Sequence, residues 1–355
     1  MTDFIIVGQG LAAHVLMHTF YKQGISFKTI GDGGLSSCSK VAAGIWNPVV
    51  FKRMTKSWLA DDVVPYLVGF YTDCEQRLHE KIMMQRPLLK PFTEEHEKAL
   101  WLKKSKEELL SYLDPSVRME VPPGLRNCRI SNGYGTVNRC GNLNVAGFLN
   151  ASQIFFKERI VSEVFGYDQL KISPDEISYR GLLAKNIIFC EGHLVSKNPY
   201  FSWIPLKPAK GETLTVEIPG LQLNQSIFNR NGFLMETAPG LYKLGATYEW
   251  EDLTEKPSEK GLLELRAKLD QMISCGYSIR KQEAGIRPSS LDRRPLIGKH
   301  PLYRNLFVFN GLGTKGVMLA PFFANNFVNF YLQKEKLNPE ADLSRFYTLY
   351  ETRKA

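Results

Sequence analysis

The chain opens with Phe4-Ile5-Ile6-Val7, a run without a polar residue, and passes directly into Gly8-Gln9-Gly10. An apolar run of this length marks a strand buried on both faces, the habit of parallel sheets. From Leu11 to Tyr21 apolar residues recur at helical spacing, and Gly24 supplies a stop. Phe27 to Ile30 predicts a second strand, so the opening is a βαβ unit or most of one. Gly8-x-Gly10-x-x-Ala13 then sits between strand and helix, the context a dinucleotide fingerprint requires. Gly8 allows the tight turn, Gly10 lets a pyrophosphate approach the backbone, and Ala13 lets the helix lie close to the strand. Leu11 and Ala12 begin the helix, whose N-terminus offers free N–H groups and partial positive charge to phosphates. The alternative is a tight turn with no ligand. An acidic residue is expected at the end of the second strand; Gly31 occupies that place and Asp32 follows it. Either Asp32 holds the ribose after a one-residue shift, or a backbone group or water does.

Further along, helices are expected over 58–78, 94–113, 145–160, 262–273 and 317–331. Short strands are expected at 82–84 and 88–89, and turns between strands over 128–144. Buried strands are expected at 186–190, stopped by Glu191-Gly192, and at 306–309. Thr213 to Glu217 and Tyr242 to Thr247 read as half-exposed strands. Buried strands feeding Gly-rich turns thus recur at the start, middle and end, with antiparallel-looking strands between. This predicts an α/β chain, α+β overall. A Rossmann-like binding domain is built from 1–80, 141–198 and 282–355, and a mainly antiparallel sheet domain from 81–140 and 199–281 is inserted into it.

With 355 residues and 44% hydrophobic content, the chain is long enough for a large core, and disordered or miniprotein classes are excluded. The net charge of +9 is mild at this length and permits an anionic partner without demanding nucleic acid. Six scattered cysteines, none in a C-x-x-C pair, predict reduced thiols and no metal site. No secretory signal or membrane span is read, so a cytoplasmic protein is expected.

Ser36-Ser37-Cys38-Ser39-Lys40-Val41-Ala42-Ala43-Gly44 resembles the turn after the second strand in the D-amino-acid oxidase family of flavoproteins. That family includes glycine oxidase, sarcosine oxidase and the flavin domain of a tRNA wobble-uridine modifying enzyme. Pro208-Ala209-Lys210-Gly211-Glu212, Gly285-Ile286-Arg287-Pro288 with Asp292, Pro295 and Gly298, and Gly311-x-Gly313-x-x-Gly316 resemble three further family segments in the same order.

The resemblance implies FAD, held without a covalent link, since no cysteine is close to the 311–316 turn in sequence. It places Ser36, Ser37, Ser39, Ala42, Ala43, Gly44, Gly192, Gly311, Gly313, Thr314, Lys315 and Gly316 beside the cofactor. It also implies hydride transfer from the carbon next to an amine nitrogen. Arg287 is expected to grip a substrate carboxylate through paired hydrogen bonds; the alternative is an ion pair, with Asp292 a candidate. Lys315, ahead of the last helix, is expected either to favour negative charge on the flavin or to point to solvent. No histidine is assigned to catalysis, and His193 is expected at the surface. The family commonly supplies a tyrosine near 232–235; here Phe233 and Met235 stand there, as pocket wall or core.

The expected substrate is a small amine or amino acid, with oxidase and dehydrogenase behaviour undivided. Two other readings are a modified wobble uridine in tRNA and a non-catalytic FAD-binding protein. The first is suggested by Leu244-Gly245-Ala246-Thr247-Tyr248 and by the basic residues Lys52, Arg53 and Lys56.

Overall fold

A computed structural model describes residues 1–32 and 38–354. The opening strand Thr2–Val7 lies at the heart of an eight-stranded sheet. It pairs in parallel with Phe27–Gly31 on one side and Leu182–Phe189 on the other. Ile160–Ser162 extends the sheet beyond 27–31, and Leu306–Asn310 pairs in parallel with the end of 182–189. Phe4, Ile5, Ile6 and every residue of 306–310 are buried, as strands covered on both faces require. The helices Leu11–Lys22 and Gly316–Tyr331, from opposite ends of the chain, lie side by side over one face. Phe4 meets Phe20 at 4.9 Å and Phe327 at 6.0 Å between them.

The second large sheet has seven strands, in the order 278–287, 209–217, 241–245, 233–238, 227–229, 88–91 and 134–137. All pairings are antiparallel except that of 227–229 with 88–91. One face, carrying Leu214, Leu234, Tyr242 and Leu244, packs on Leu265, Leu269 and Met272 of the helix Glu259–Met272. The opposite face, carrying Gly211, Thr213, Phe233 and Gly245, is turned to the cavity described below.

Several expectations need correction. The helix expected over 94–113 stops at Lys104. The indole N–H of Trp101 donates to the Asp114 carbonyl, which folds 105–113 back as turns, and Leu113 bridges to Val137 at the sheet edge. The helix expected to reach 160 ends at Phe155, because Ile160–Ser162 is claimed by strand pairing. The strand runs over Ala209–Glu217, longer than expected: 209–214 are buried, and from Leu214 to Glu217 burial alternates, with Thr215 and Glu217 half-buried. Among the described residues no helix is long and apolar enough to cross a membrane.

Two buried histidines stand behind the Gly8–Gly10 turn. His14 Nδ1 lies 3.0 Å from the Gly10 carbonyl and donates to it, while Nε2 has no partner among the described residues. Arg77 donates to His18 Nδ1 at 2.8 Å, so His18 carries its proton on Nε2, which donates to Ser152 at 2.8 Å. Burial holds His14 down to about 4; burial, then the Arg77 charge, holds His18 down to about 3. Both rings are neutral when folded, whereas in the unfolded chain they protonate near 6.5. Stability is therefore intact above that pH and falls as pH drops towards these values, by about 1.4 kcal/mol per pH unit for each ring. Denaturant midpoints measured from about pH 7 to about pH 4 should show this slope. His18→Gln should flatten its share, and an unchanged slope would remove the histidines as its cause.

Candidate functional site

Where the parallel strands end, their loops open into a cavity of about 840 Å3 whose opposite wall is the seven-stranded sheet. Gly8 shows why the first turn needs its residue type. Its φ is +115°, and a Cβ there would stand 2.5 Å from the Cys190 carbonyl oxygen at the end of the neighbouring strand. Gly10 caps the helix 11–22 without a side chain in the way. The Ser39 hydroxyl accepts from the Leu11 N–H at 3.1 Å, bringing the 38–44 segment against this helix start.

Gly8, Gly10, Leu11, Ala12, Asp32, Ser39, Ala42, Ala43, Gly44, Gly192, Gly313, Thr314, Lys315, Gly316 and Arg287 all line this one cavity. They come from six separated stretches of chain. Ala13 does not reach it; it is fully buried, as its packing role predicts. Gly311 also stands back, turning the chain beside Leu296 with φ +73°. Ser36 and Ser37 lie outside the described residues. Asp32 follows the last residue of strand 27–31. The neighbouring Gly31 carbonyl is held by the Gln9 amide at 2.8 Å, and Gln9, the variable position of the glycine turn, also lines the cavity.

Arg287 ends the strand Ser278–Arg287. Its guanidinium donates to the carbonyls of Lys210 at 3.3 Å and Thr247 at 3.2 Å, and lies 4.8 Å from the Tyr248 ring centroid. Gly211 makes the room: a Cβ there would be 1.9 Å from Nη2. Burial pulls the guanidinium below its usual value, and the groups opposing this are Tyr248 and Cys38, with no carboxylate among them. The ion pair considered with Asp292 is not formed, because Asp292 pairs with Arg345 at 3.0 Å. Arginine stays protonated under these conditions, so the cavity wall holds a cation whose planar face is backed by Tyr248 and whose carboxylate-binding capacity is not taken by another side chain.

Lys315 is turned inward. Its Nζ donates to the Ser57 hydroxyl at 2.5 Å, and that hydroxyl donates to the Asn47 carbonyl at 3.0 Å. Burial, then the charge of Arg294, lowers it to about 8. Lys315 caps the helix 316–331, whose positive end therefore opens on the cavity.

His193 lies half-buried in the cavity wall instead of at the surface, because the turn after strand 182–189 folds towards the first glycine turn; burial lowers its pKa. Phe233 lines the cavity, whereas Met235 is buried in the core. The basic cluster is divided: Lys52 and Arg53 are exposed, and Lys56 pairs with Asp61 at 2.6 Å.

Glu191, expected only as a strand stop, also lines the cavity. Burial raises its carboxyl to about 7, against hydrogen bonds from Tyr167 at 2.5 Å and Asn198 at 2.7 Å. Its position directly after a buried strand, beside Gly192, was the available signal. Cys38 and Cys190 also line the cavity, Cys38 beside Gly285 and Cys190 beside Gly8.

These parts fit FAD. A side-chain-free approach to a helix N-terminus suits a pyrophosphate, a second helix start opens on the same space, and the cavity joins both to the sheet wall.

A family model described as FAD dependent oxidoreductase matches residues 3–328. A glycine oxidase of Bacillus licheniformis is 31% identical over 116 residues, which span 32% of this chain and 31% of that protein. The tRNA 5-methylaminomethyl-2-thiouridine biosynthesis bifunctional protein MnmC of Caulobacter sp. (strain K31) is 29% identical over 128 residues, 34% of this chain and 21% of that protein. The matched segment is thus about a third or less of these relatives. The crystal structure of glycine oxidase from Geobacillus kaustophilus superposes with a TM-score of 0.79 at 19% identity, covering 97% of this chain and 98% of that one. At that identity the likeness speaks for the fold.

Proposed function

The chain belongs to the FAD-dependent oxidoreductase family, and from that premise we propose that it oxidises the C–N bond of a small amine or amino acid. FAD, when bound, would supply the acceptor for a hydride leaving the carbon beside the nitrogen. The observation that carries the reading is Arg287: a guanidinium seated over Gly211, without a carboxylate partner among the described residues, in the cavity that also holds the glycine turns. Arg287 orients a substrate carboxylate, and Gly8 to Ala12, Ser39, Ala42 to Gly44, Gly192 and Gly313 to Gly316 hold the cofactor. Anaerobic mixing with glycine, sarcosine and D-amino acids should bleach the flavin colour. A flavin that none of them bleaches would sink the reading in favour of a non-catalytic FAD protein.

Lys315 adds a positive charge where the helix start already favours negative charge on the ring system. Lys315→Met should slow flavin reduction by about tenfold or more. Because Lys315 sits at about 8, it is cationic at neutral pH and loses this effect as pH rises through that value. Stopped-flow reduction rates across that range check both; equal rates in the two proteins would remove Lys315 from the reaction.

FAD is held non-covalently in this reading. The cavity-lining thiols are kept protonated by burial, Cys38 at about 11 and Cys190 well above its usual value, and the nucleophile in thioether formation is the thiolate. Acid precipitation should leave all colour in the supernatant; colour in the pellet would overturn this. Six free cysteines support a reducing compartment such as the cytoplasm. We divide the chain into a cofactor domain of 1–80, 141–198 and 282–355 and a substrate domain of 81–140 and 199–281, with strand 278–287 carrying the chain across the boundary.

A further inference from the structure

Side chains two apart on a strand share a face, so Gly211 and Thr213 of the strand 209–217 both look into the cavity. Arg287 fills the space over Gly211. Thr213 stands opposite Gly245, Gly245 opposite Phe233, and Phe233 opposite Asn229, so the four form one row across the sheet. Gly245 leaves a gap in that row. The Phe233 ring leans to within 2.9 Å of where a Cβ would be, and the Thr213 methyl carbon comes to 3.0 Å from the other side.

With its methyl group turned to Gly245, Thr213 has its hydroxyl as the remaining branch. The residue is 5% exposed, and Oγ1 has no hydrogen-bond partner among the described residues. Buried hydroxyls in folded proteins nearly always have a partner; Thr213 lines the cavity, and its neighbour on the side away from Gly245, Glu283, is bonded to Lys281 and not to it. The flavin-binding turns come from the eight-stranded sheet, on the other wall. Thr213 instead shares its strand face with the residue that grips the substrate carboxylate. Same-face positions are about 6.7 Å apart along a strand, so a carboxylate held by the guanidinium over Gly211 brings the neighbouring carbon and its nitrogen towards Thr213.

We infer that Thr213 is a specificity-determining residue whose hydroxyl oxygen accepts a hydrogen bond from the substrate's α-amino N–H, so that the site selects α-amino acids over simple carboxylates. The oxygen binds an N–H and leaves the nitrogen lone pair free, which is the electron pair that must follow the departing hydride. The inference rests on the C–N oxidation reading of this cavity.

The test uses the FAD-loaded protein and Thr213→Val, which keeps the side-chain shape and removes the hydroxyl, with Thr213→Ser as the variant that restores it. The probes are the panel member that bleaches the wild-type flavin, glycine or D-alanine, and the matching acid without the amine, acetate or propionate. Affinities come from anaerobic reduction for the amino acid and from perturbation of the flavin spectrum for the acid. Thr213→Val should weaken the amino acid by at least about fivefold, leave the acid within about twofold, and Thr213→Ser should recover most of the loss. Equal weakening of both probes, or of neither, overturns the inference while the C–N reading stands. A shifted spectrum of the ligand-free Thr213→Val protein overturns it by giving the hydroxyl to the flavin. A wild-type flavin that neither probe bleaches nor perturbs removes the C–N reading and this inference with it.

Discussion

Replacing Arg287 with alanine should raise the apparent KM for a carboxylate-bearing amine by on the order of a hundredfold, with a smaller change in the limiting reduction rate. Truncating one partner of a buried, hydrogen-bonded charge pair costs about 2–5 kcal/mol. The lower part of that range applies because Arg287 is only partly buried. The guanidinium also donates to the Lys210 and Thr247 carbonyls; alanine removes both bonds, and while the Lys210 carbonyl keeps the Glu249 N–H as donor, the Thr247 carbonyl loses its side-chain donor. Arg287→Lys should recover little, since an ammonium cannot present two parallel N–H groups. Gly211→Ala offers an independent route to the same outcome. Its methyl group would occupy the guanidinium position, displacing Arg287 without changing its chemistry. Steady-state KM values for the three variants check this, and an unchanged KM in Arg287→Ala would take the carboxylate role away from Arg287.

Gly8→Val should yield a protein with almost no flavin. Two obstacles act together at this position. The backbone at φ +115° is one that L side chains rarely adopt, and the added atoms would meet the Cys190 carbonyl, directly after strand 182–189 and held by the Cys190 N–H donating to the Val7 carbonyl. The strand 182–189 cannot yield locally, because it is paired on both sides. The turn must therefore move, and the pyrophosphate position moves with it. Visible absorbance per mole of purified protein reads the effect, and circular dichroism separates lost cofactor from lost fold. A yellow, fully loaded Gly8→Val protein would contradict the placement of the cofactor at this turn.

The parts of this chain legible from one-dimensional pattern are those whose cause is local. Phe4 to Val7 and Leu306 to Phe309 advertise burial on both faces by containing nothing polar, and the glycines after them advertise a turn. The helix expected over 94–113 failed where a distant contact, Trp101 to Asp114 and Leu113 to Val137, overrode its periodicity. The strand 160–162 was missed because three residues carry too little pattern, and its existence depends on the free edge of strand 27–31.

The candidate site divides the same way. Alternation places Gly211 and Thr213 on one face, yet nothing in their order says that this face looks at a cavity. The order of residues does not say that His193 and Phe233 line a cavity, because burial belongs to the assembled sheets, as does the partnership of Asp292 with Arg345 across 53 positions. What the amino-acid order determined alone is the glycine turn after the first strand and the alternation of sheet and helix, since backbone sterics and hydrophobic periodicity act over a few residues. Only the tertiary structure decided which charges are paired and which buried hydroxyls lack a partner among the described residues, because desolvation and hydrogen-bond satisfaction are set by groups that chain folding brings from far away.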